Sequence, residues 1–208
     1  MEDVLDLYKQ PYDVKRPLIC MDELTRQLLS DSREPLPARS GRTERFDYEY
    51  VRGGVADVFL FFEPLQGQRR LEVTEHRTRK DWAAVMRRLS DEWYADAERI
   101  VVVCDNLNIH TPASFYAAFD PAEARRLVQR FEFHFTPKHG SWLNMAEIEL
   151  SVLSRQCLDR RIPDIATVTT EATAWATERN TRVVKVDWQF TTADARIKLR
   201  HLYPQIQV

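Results

Sequence analysis

The stretch VVVCDNLNIH, residues 101–110, decides how the rest of the chain is interpreted. The apolar run at 101–104 predicts a strand that is buried on both faces of a sheet. The run stops at Asp105 and Asn106, and His110 follows one short turn later. Polar side chains outside the carboxyl end of a buried strand stand where open α/β sheets bind ligands. Asp105 is therefore a candidate site residue if other polar groups reach it.

The composition fits one globular domain and excludes several classes of protein. Of the 208 residues, 44% are hydrophobic, and the net charge is −2, so a strongly basic DNA-gripping surface is not expected. There is neither an apolar run of the roughly 20 residues that cross a bilayer nor the apolar segment of a signal peptide, so no membrane partner is expected. Three scattered cysteines without zinc-ligand spacing predict reduced thiols and a cytoplasmic protein. They are Cys20, Cys104 and Cys157.

The order of predicted elements defines an α/β fold. Strands are predicted at 15–23, at 46–64 as a hairpin turning near Gly53-Gly54, and at 69–76, 101–104 and 131–137. Helices are predicted after Thr78, from Pro112 and Pro121, from Ser141 to Leu158 with Ser141 as the cap, and around 169–179. Three sequential strands followed by a helical crossover to a fourth predict a mixed five-stranded sheet, ordered 3-2-1-4-5 and flanked by helices.

Two acids should meet where this sheet changes direction. Strand alternation puts Leu18, Cys20 and Asp22 on one face of the first strand and the residues between them on the other. The fourth strand is expected parallel to the first and beside it, so Asp22 and Asp105 should converge at the switch point.

A third acid should come from the helix that follows the fifth strand. Glu147 and Glu149 are two residues apart and therefore point about 200° apart, so only one can face the crevice. The predicted apolar stripe of Met145, Ile148 and Val152 favours Glu147, but periodicity alone leaves both open.

Three ionised carboxylates at one site repel one another unless a cation is present. Oxygen-only ligands favour Mg²⁺ or Mn²⁺, and two such ions would suit an in-line phosphoryl displacement. The ordinary alternative is that an Asp at a strand end caps a turn and that a helical Glu is solvated. Likewise, His110 and His139, each taken alone, are predicted to be ordinary polar surface residues, and the tryptophans are predicted to lie in the core. The tryptophans in question are Trp82, Trp93 and Trp142.

Three motifs in order resemble the DDE transposases of the bacterial insertion-sequence branch of the mariner superfamily. They are MDE at 21–23, DNLNIH at 105–110, and TPKHGSWLNMAEIE at 136–149, which contains the L-N-x-x-E element. The resemblance extends from about Lys15 to Pro204 and implies a ribonuclease-H-like fold. It also implies that Asp22, Asp105 and Glu147 are the catalytic acids and metal ligands, which selects Glu147 over Glu149.

The resemblance implies further roles around these acids. Asn106, His110 and Asn144 match the motifs and are expected to support the site, while Lys138 and His139 are candidates for contact with DNA phosphate. The spacing between the second and third acids is longer than in many members.

The implied activity is metal-dependent cleavage of DNA at transposon ends and transfer of the freed strand into target DNA. Full transposases of this group carry helix-turn-helix domains ahead of the catalytic one, so a homodimer or a partner chain is expected to supply DNA recognition. We expect residues 1–14 to be a linker remnant, 15–160 the catalytic domain and 161–208 a helical tail, in a bacterial, nucleoid-associated protein. Another ribonuclease-H-like nuclease, or a non-catalytic remnant that dimerises with and regulates a full-length transposase, remains an alternative.

Overall fold

The computed structural model describes residues 1–203, and its centre is a five-stranded mixed sheet with helices on both faces. The strands are β1 Leu18–Asp31, β2 Tyr50–Glu63, β3 Gln68–Thr74, β4 Ile100–Cys104 and β5 Phe131–Phe135. The helices are α1 Glu2–Leu7, α2 Arg79–Arg88, α3 Pro112–Ala118, α4 Pro121–Arg130, α5 Met145–Leu153, α6 Ile165–Thr181 and α7 Thr192–Lys198. Among the described helices, none is long and apolar enough to cross a membrane.

The strand order is β3-β2-β1-β4-β5, which confirms the predicted topology. β1 runs antiparallel to β2 and parallel to β4, with Leu18 opposite Val101 and Cys20 opposite Val103. The sheet therefore grows from β1 in one direction through β2 and β3 and in the other through β4 and β5. Because Val103 pairs with Cys20, the carboxyl end of β4 lies beside the stretch of β1 just before Asp22.

Residues of β1 alternate between its two faces, as predicted, and each face contributes to a separate core. Leu18 and Cys20 pack into the layer formed with α5 and α6, whereas Ile19 and Met21 pack against α2, α3 and α4. Because β1 and β4 supply both layers, Leu18–Met21 of β1 and all of β4 are almost completely buried. The polar residues of interest begin where this buried stretch stops, at Asp22 within β1 and at Asp105 after the end of β4.

The predicted turn at Gly53-Gly54 is wrong. β2 runs through both glycines as one strand, and the register with β1 shifts so that Leu28 faces Gly54 while Leu29 faces Arg52. Gly53 is thus the extra residue of a β-bulge, which glycine permits as readily as a turn. Gly54 has φ +103°, and a side chain at Gly53 would place its Cβ 2.7 Å from the carbonyl oxygen of Pro163.

The chain ends described by the structure pack onto the core. The segment predicted as a linker begins with α1, whose Val4 and Leu5 are fully buried against the α5 layer. Val168 and Ala172 of α6 enter the same core. The boundaries at 14/15 and 160/161 stay predictions, and the last five residues of the predicted tail lie outside the described residues.

Two tryptophan predictions and the cysteine prediction have clear outcomes. Trp82 is fully buried, as predicted, but Trp142 is 41% exposed and stacks on Trp188 at a ring-centroid distance of 6.3 Å, so its assignment to the core is wrong. All three cysteines are free thiols.

Candidate active site

Three acids from three separate elements line one open cavity of about 420 Å³. Asp22 projects from β1, Asp105 follows the last residue of β4, and Glu147 lies in the first turn of α5. The structure thus brings the predicted triad to one place, although the second acid lies 83 positions after the first. The remaining lining residues are Glu23, Leu24, Ser141, Asn144, Leu150, Ser151 and Ser154.

Asn144 fixes α5 against β1 beside these acids. Its side-chain oxygen accepts from the backbone N–H of Ala146 at 3.1 Å, and its side-chain nitrogen donates to the carbonyl oxygen of Met21 at 2.8 Å. Asn144 is therefore the N-cap of α5, and the prediction that Ser141 caps the helix is wrong. Ser141 instead begins a short 3-10 turn before the helix. The buried amide supports the site by joining the residue before Asp22 to the first turn of α5.

Asp22 has a raised pKa, because it is buried and because it lies among other acids. Burial, followed by the charges of Glu23, Asp105 and Glu147, raises the pKa of Asp22 to about 7. A hydrogen bond from the backbone N–H of Glu23, at 2.8 Å, opposes this shift without cancelling it. At neutral pH the carboxylate form of Asp22 is therefore held at a cost, which a bound cation would relieve.

The side chain of His110 contacts the carboxylate of Asp105. Its Nδ1 lies 2.8 Å from Oδ1 of Asp105, and its Nε2 lies 2.6 Å from Oε1 of Glu23. The ring is fully buried, so the reading of His110 as a surface residue is wrong. Burial opposes its charged form, but hydrogen bonds to Asp105, Cys104 and Glu23 raise the pKa of His110 to about 12. The hydrogen bond from His110 in turn lowers the pKa of Asp105, against the effect of burial.

The other predicted residues lie on the loops around the cavity. The side-chain nitrogen of Asn106 donates to the carbonyl oxygen of Thr136 at 2.7 Å, which ties the loop after β4 to the loop after β5. Lys138 and His139 are exposed on that second loop and do not line the cavity. His139 has a left-handed backbone with φ 62°, at the turn that precedes Gly140.

The two candidate acids of α5 point to opposite surroundings, as their spacing predicts. Glu147 lines the cavity, whereas the side chain of Glu149 is 1% exposed and lies 2.7 Å from Nε of Arg69 and 3.1 Å from Nη2 of Arg179. The predicted apolar stripe is wrong, because Ile148 is 39% exposed. The buried face of α5 consists of Met145, Ala146, Glu149, Leu150 and Leu153.

Sequence reasoning missed Glu23 and Arg69. Strand alternation placed Glu23 on the face of β1 opposite Asp22, but no local signal links it to a histidine 87 residues away. Arg69 lies in a strand of mixed polarity, where a basic residue reads as solvated. In both cases the sequence shows only a charged residue within a strand, and its burial depends on a fully buried residue of β2, Phe59 opposite Glu23 and Phe62 opposite Arg69.

The donor set of the cavity fits a hard divalent cation. Its acids offer oxygen atoms only, which suits Mg²⁺ or Mn²⁺, and Mg²⁺ needs only one or two protein carboxylates because it keeps several waters. The spacing is looser than a preformed metal site needs, because within residues 1–203 no group of three or more His, Cys, Asp or Glu side chains is placed so that it could hold a metal ion. The acids therefore surround a shared open space and do not form a closed cage.

The chain is similar to solved structures and to one protein-family model. A comparison with curated proteins finds no significant match. The structure is similar to the Mos1 mariner paired end complex with Mn, with 15% identity, TM-score 0.56, and coverage of 88% of this chain and 55% of that chain. It is also similar to the Mos1 Strand Transfer Complex, with 14% identity, TM-score 0.59, and coverage of 88% and 54%.

These likenesses confirm the ribonuclease-H-like fold, and the chain spans about half the length of the solved structures it matches. Residues 17–169 match the sequence model of the DDE superfamily endonuclease, a stretch that includes all three acids. That match covers most of the chain, so the protein belongs to the DDE superfamily endonuclease family.

Proposed function

We propose that this chain is the catalytic part of a transposase of the bacterial insertion-sequence branch of the mariner superfamily, which cuts DNA at transposon ends and joins it to target DNA. The observation that carries the proposal is the shared cavity of Asp22, Asp105 and Glu147 in a member of the DDE endonuclease family. The fold likeness to Mos1 complexes, including a paired-end complex with the left transposon end, supports DNA as the substrate.

The three acids would hold Mg²⁺ or Mn²⁺, and two ions would suit the reaction. When bound, such a pair stabilises the attacking and leaving oxygens of an in-line displacement at phosphorus. In the first step the oxygen of water bonds to phosphorus and the bond to the 3′ oxygen breaks, which frees a 3′-OH. In the second step that hydroxyl attacks a target phosphodiester and displaces another 3′ oxygen.

The chain's own residues prepare the cavity for these steps. His110 lowers the pKa of Asp105 and so favours its ionised form, and a bound cation would favour the ionised form of Asp22 as well. Asn144 orients α5 so that Glu147 faces the same space. Lys138 and His139, exposed on the neighbouring loop, would contact a DNA phosphate, and Asn106 would steady that loop.

A separate DNA-binding domain, and not this acidic cavity, would recognise the transposon end. The net charge of −2 offers little attraction to DNA on its own. We infer that a helix-turn-helix domain, carried by a partner chain or by a homodimer, positions the DNA.

The test compares wild type with Asp105→Asn on DNA that carries the element's terminal repeats, with Mn²⁺ and the DNA-binding domain added in trans. Asp105→Asn should lower strand cleavage at least about 100-fold, since a metal ligand is lost. Asp187→Asn, a change of the same kind at an exposed position outside the cavity, should cut like wild type. Equal cleavage by wild type and Asp105→Asn would refute the assignment.

The DNA products of the reaction distinguish a transposase from the two alternative functions. Joining of cut ends to a second DNA supports a transposase. Cleavage of branched DNA or RNA–DNA hybrids without joining would indicate another nuclease of this fold. Absence of both cleavage and Mn²⁺ binding would indicate a non-catalytic protein that regulates a full-length transposase.

A further inference from the structure

Glu23 is a buried acid next to Asp22 that faces the opposite side of β1. Its side chain is 1% exposed, and its Oε1 lies 2.6 Å from Nε2 of His110. The other ring nitrogen of His110 lies 2.8 Å from Oδ1 of Asp105. The three side chains therefore form a continuous chain of contacts from the centre of the fold to the cavity.

The chemistry of the three groups decides which of them donates each hydrogen bond. An ionised carboxylate only accepts hydrogen bonds, so a ring held between two carboxylates donates from both nitrogens. Glu23 and His110 are both almost fully buried, and hydrogen bonds of charged groups are stronger and more directional than neutral ones. The ring is therefore fixed in rotation by Glu23, and its second N–H points at one oxygen of Asp105.

The surroundings of His110 leave the ring little freedom. The ring of Trp82 packs at a centroid distance of 5.7 Å, and the hydroxyl of Ser114 donates to the carbonyl oxygen of Ile109 at 2.6 Å. The backbone N–H of Leu107 donates to the same Oδ1 of Asp105 at 3.0 Å. Two donors thus converge on Oδ1, which leaves Oδ2 for other partners.

We infer that Glu23 is a positioning residue that acts through His110 to hold the carboxylate of Asp105 in its ligand orientation. The inference rests on the proposed function, in which Asp105 binds a divalent cation. Carboxylates that orient a ligand from behind change metal affinity or activity by about 10- to 100-fold when they are removed. Glu23 lines the cavity, but its side chain is 1% exposed, so it would contribute through His110 and not as a ligand of the cation.

The experiment measures Mn²⁺ affinity by calorimetry in wild type, Glu23→Ala and Glu23→Gln, well below their unfolding temperatures. Glu23→Ala should weaken binding about 10-fold or more, because the ring is no longer fixed. Glu23→Gln keeps the shape and one acceptor but loses the charge, so it should show a smaller loss of at least about threefold. Glu132→Ala is the matched control, because it removes another Glu–His contact, at 3.0 Å from His134 and away from the cavity.

A second measurement separates positioning from mere stability. ¹⁵N spectra of the histidine side chains without metal should show a changed His110 signal in both Glu23 variants and an unchanged one in Glu132→Ala. A purely structural role would lower the unfolding free energy and leave the Mn²⁺ affinity of the folded protein intact. Wild-type affinity in the Glu23 variants that fold therefore overturns the inference.

Failure of the inference can be distinguished from failure of the proposed function. Wild type that binds Mn²⁺ and cleaves DNA, alongside Glu23 variants that do both equally well, refutes only the role of Glu23. Wild type that neither binds Mn²⁺ nor cleaves refutes the proposed function, and the role of Glu23 with it.

Discussion

Glu147 and Glu149 are two residues apart on α5 and have opposite surroundings. Glu149 is buried and paired with Arg69 and Arg179, so the fold supplies the positive charge that this acid needs. Glu147 faces a cavity that it shares with Asp22 and Asp105. No Lys or Arg lines that cavity among the described residues. The chain thus neutralises Glu149 with two arginines, whereas in the cavity only Asp105 has a basic partner, His110, and Asp22 and Glu147 are left without one.

The largest expected effect comes from breaking the neutralised side of this comparison. Glu149→Ala leaves Arg69 buried without its partner, which should lower the unfolding free energy by about 3–5 kcal/mol. Glu147→Ala, on the same helix, should change it by no more than about 0.5 kcal/mol when a chelator is present. Urea denaturation of both variants measures the difference, and equal losses would contradict it.

A smaller change in the unfolding free energy is expected when Asp22, whose pKa is raised, is replaced by a neutral residue. The pKa of Asp22 is raised from 3.8 to about 7, so the folded protein holds a proton that the unfolded chain has lost between those values. This group's contribution to the unfolding free energy therefore falls as pH rises through that window, and the full penalty is present above it. Asp22→Asn removes the penalty and should stabilise the metal-free protein by about 1–4 kcal/mol at about pH 8.

Denaturation at two pH values checks this prediction. The advantage of Asp22→Asn over wild type should be nearly absent below the unfolded pKa of 3.8 and complete above about 7. An advantage that does not depend on pH would indicate a packing effect instead of a charge effect.

The smallest expected effect is the proton that leaves when a cation enters. At about pH 6, Mn²⁺ binding should release up to about one proton, because the cation favours the ionised form of Asp22. Calorimetry in buffers of different ionisation enthalpy measures this number. Asp22→Asn should release almost none, and equal release from both proteins would show that another group supplies the proton.

The sheet order and two of the acids could be predicted because they depend on local patterns. The apolar run before Asp105 and the alternation around Asp22 are properties of short segments, and the crossover rule then joins them. The glycine pair at 53–54 was less informative, since glycine accommodates a turn or a bulge equally well and only pairing with β1 decides between them.

The exact faces of α5 could not be predicted, for a different physical reason. Glu149 looks like a solvated residue until Arg69, 80 positions earlier, is brought beside it by the fold. His110 became a buried residue in the same way, because Glu23 reaches it from a neighbouring strand. Burial of a charge depends on partners that are remote in sequence, whereas burial of an apolar run does not.

The attachment of α5 through Asn144 makes the position of Glu147 independent of the length of the segment that precedes α5. Met21 receives the amide that anchors α5, and Glu23 anchors His110, so three consecutive residues of β1 serve as the reference point for every acid of the cavity. The position of Glu147 is then set by this anchor and not by the number of residues between it and Asp105. Extra turns in the stretch that holds α3 and α4 can accordingly be accommodated at the periphery while the spatial relation of the acids is preserved.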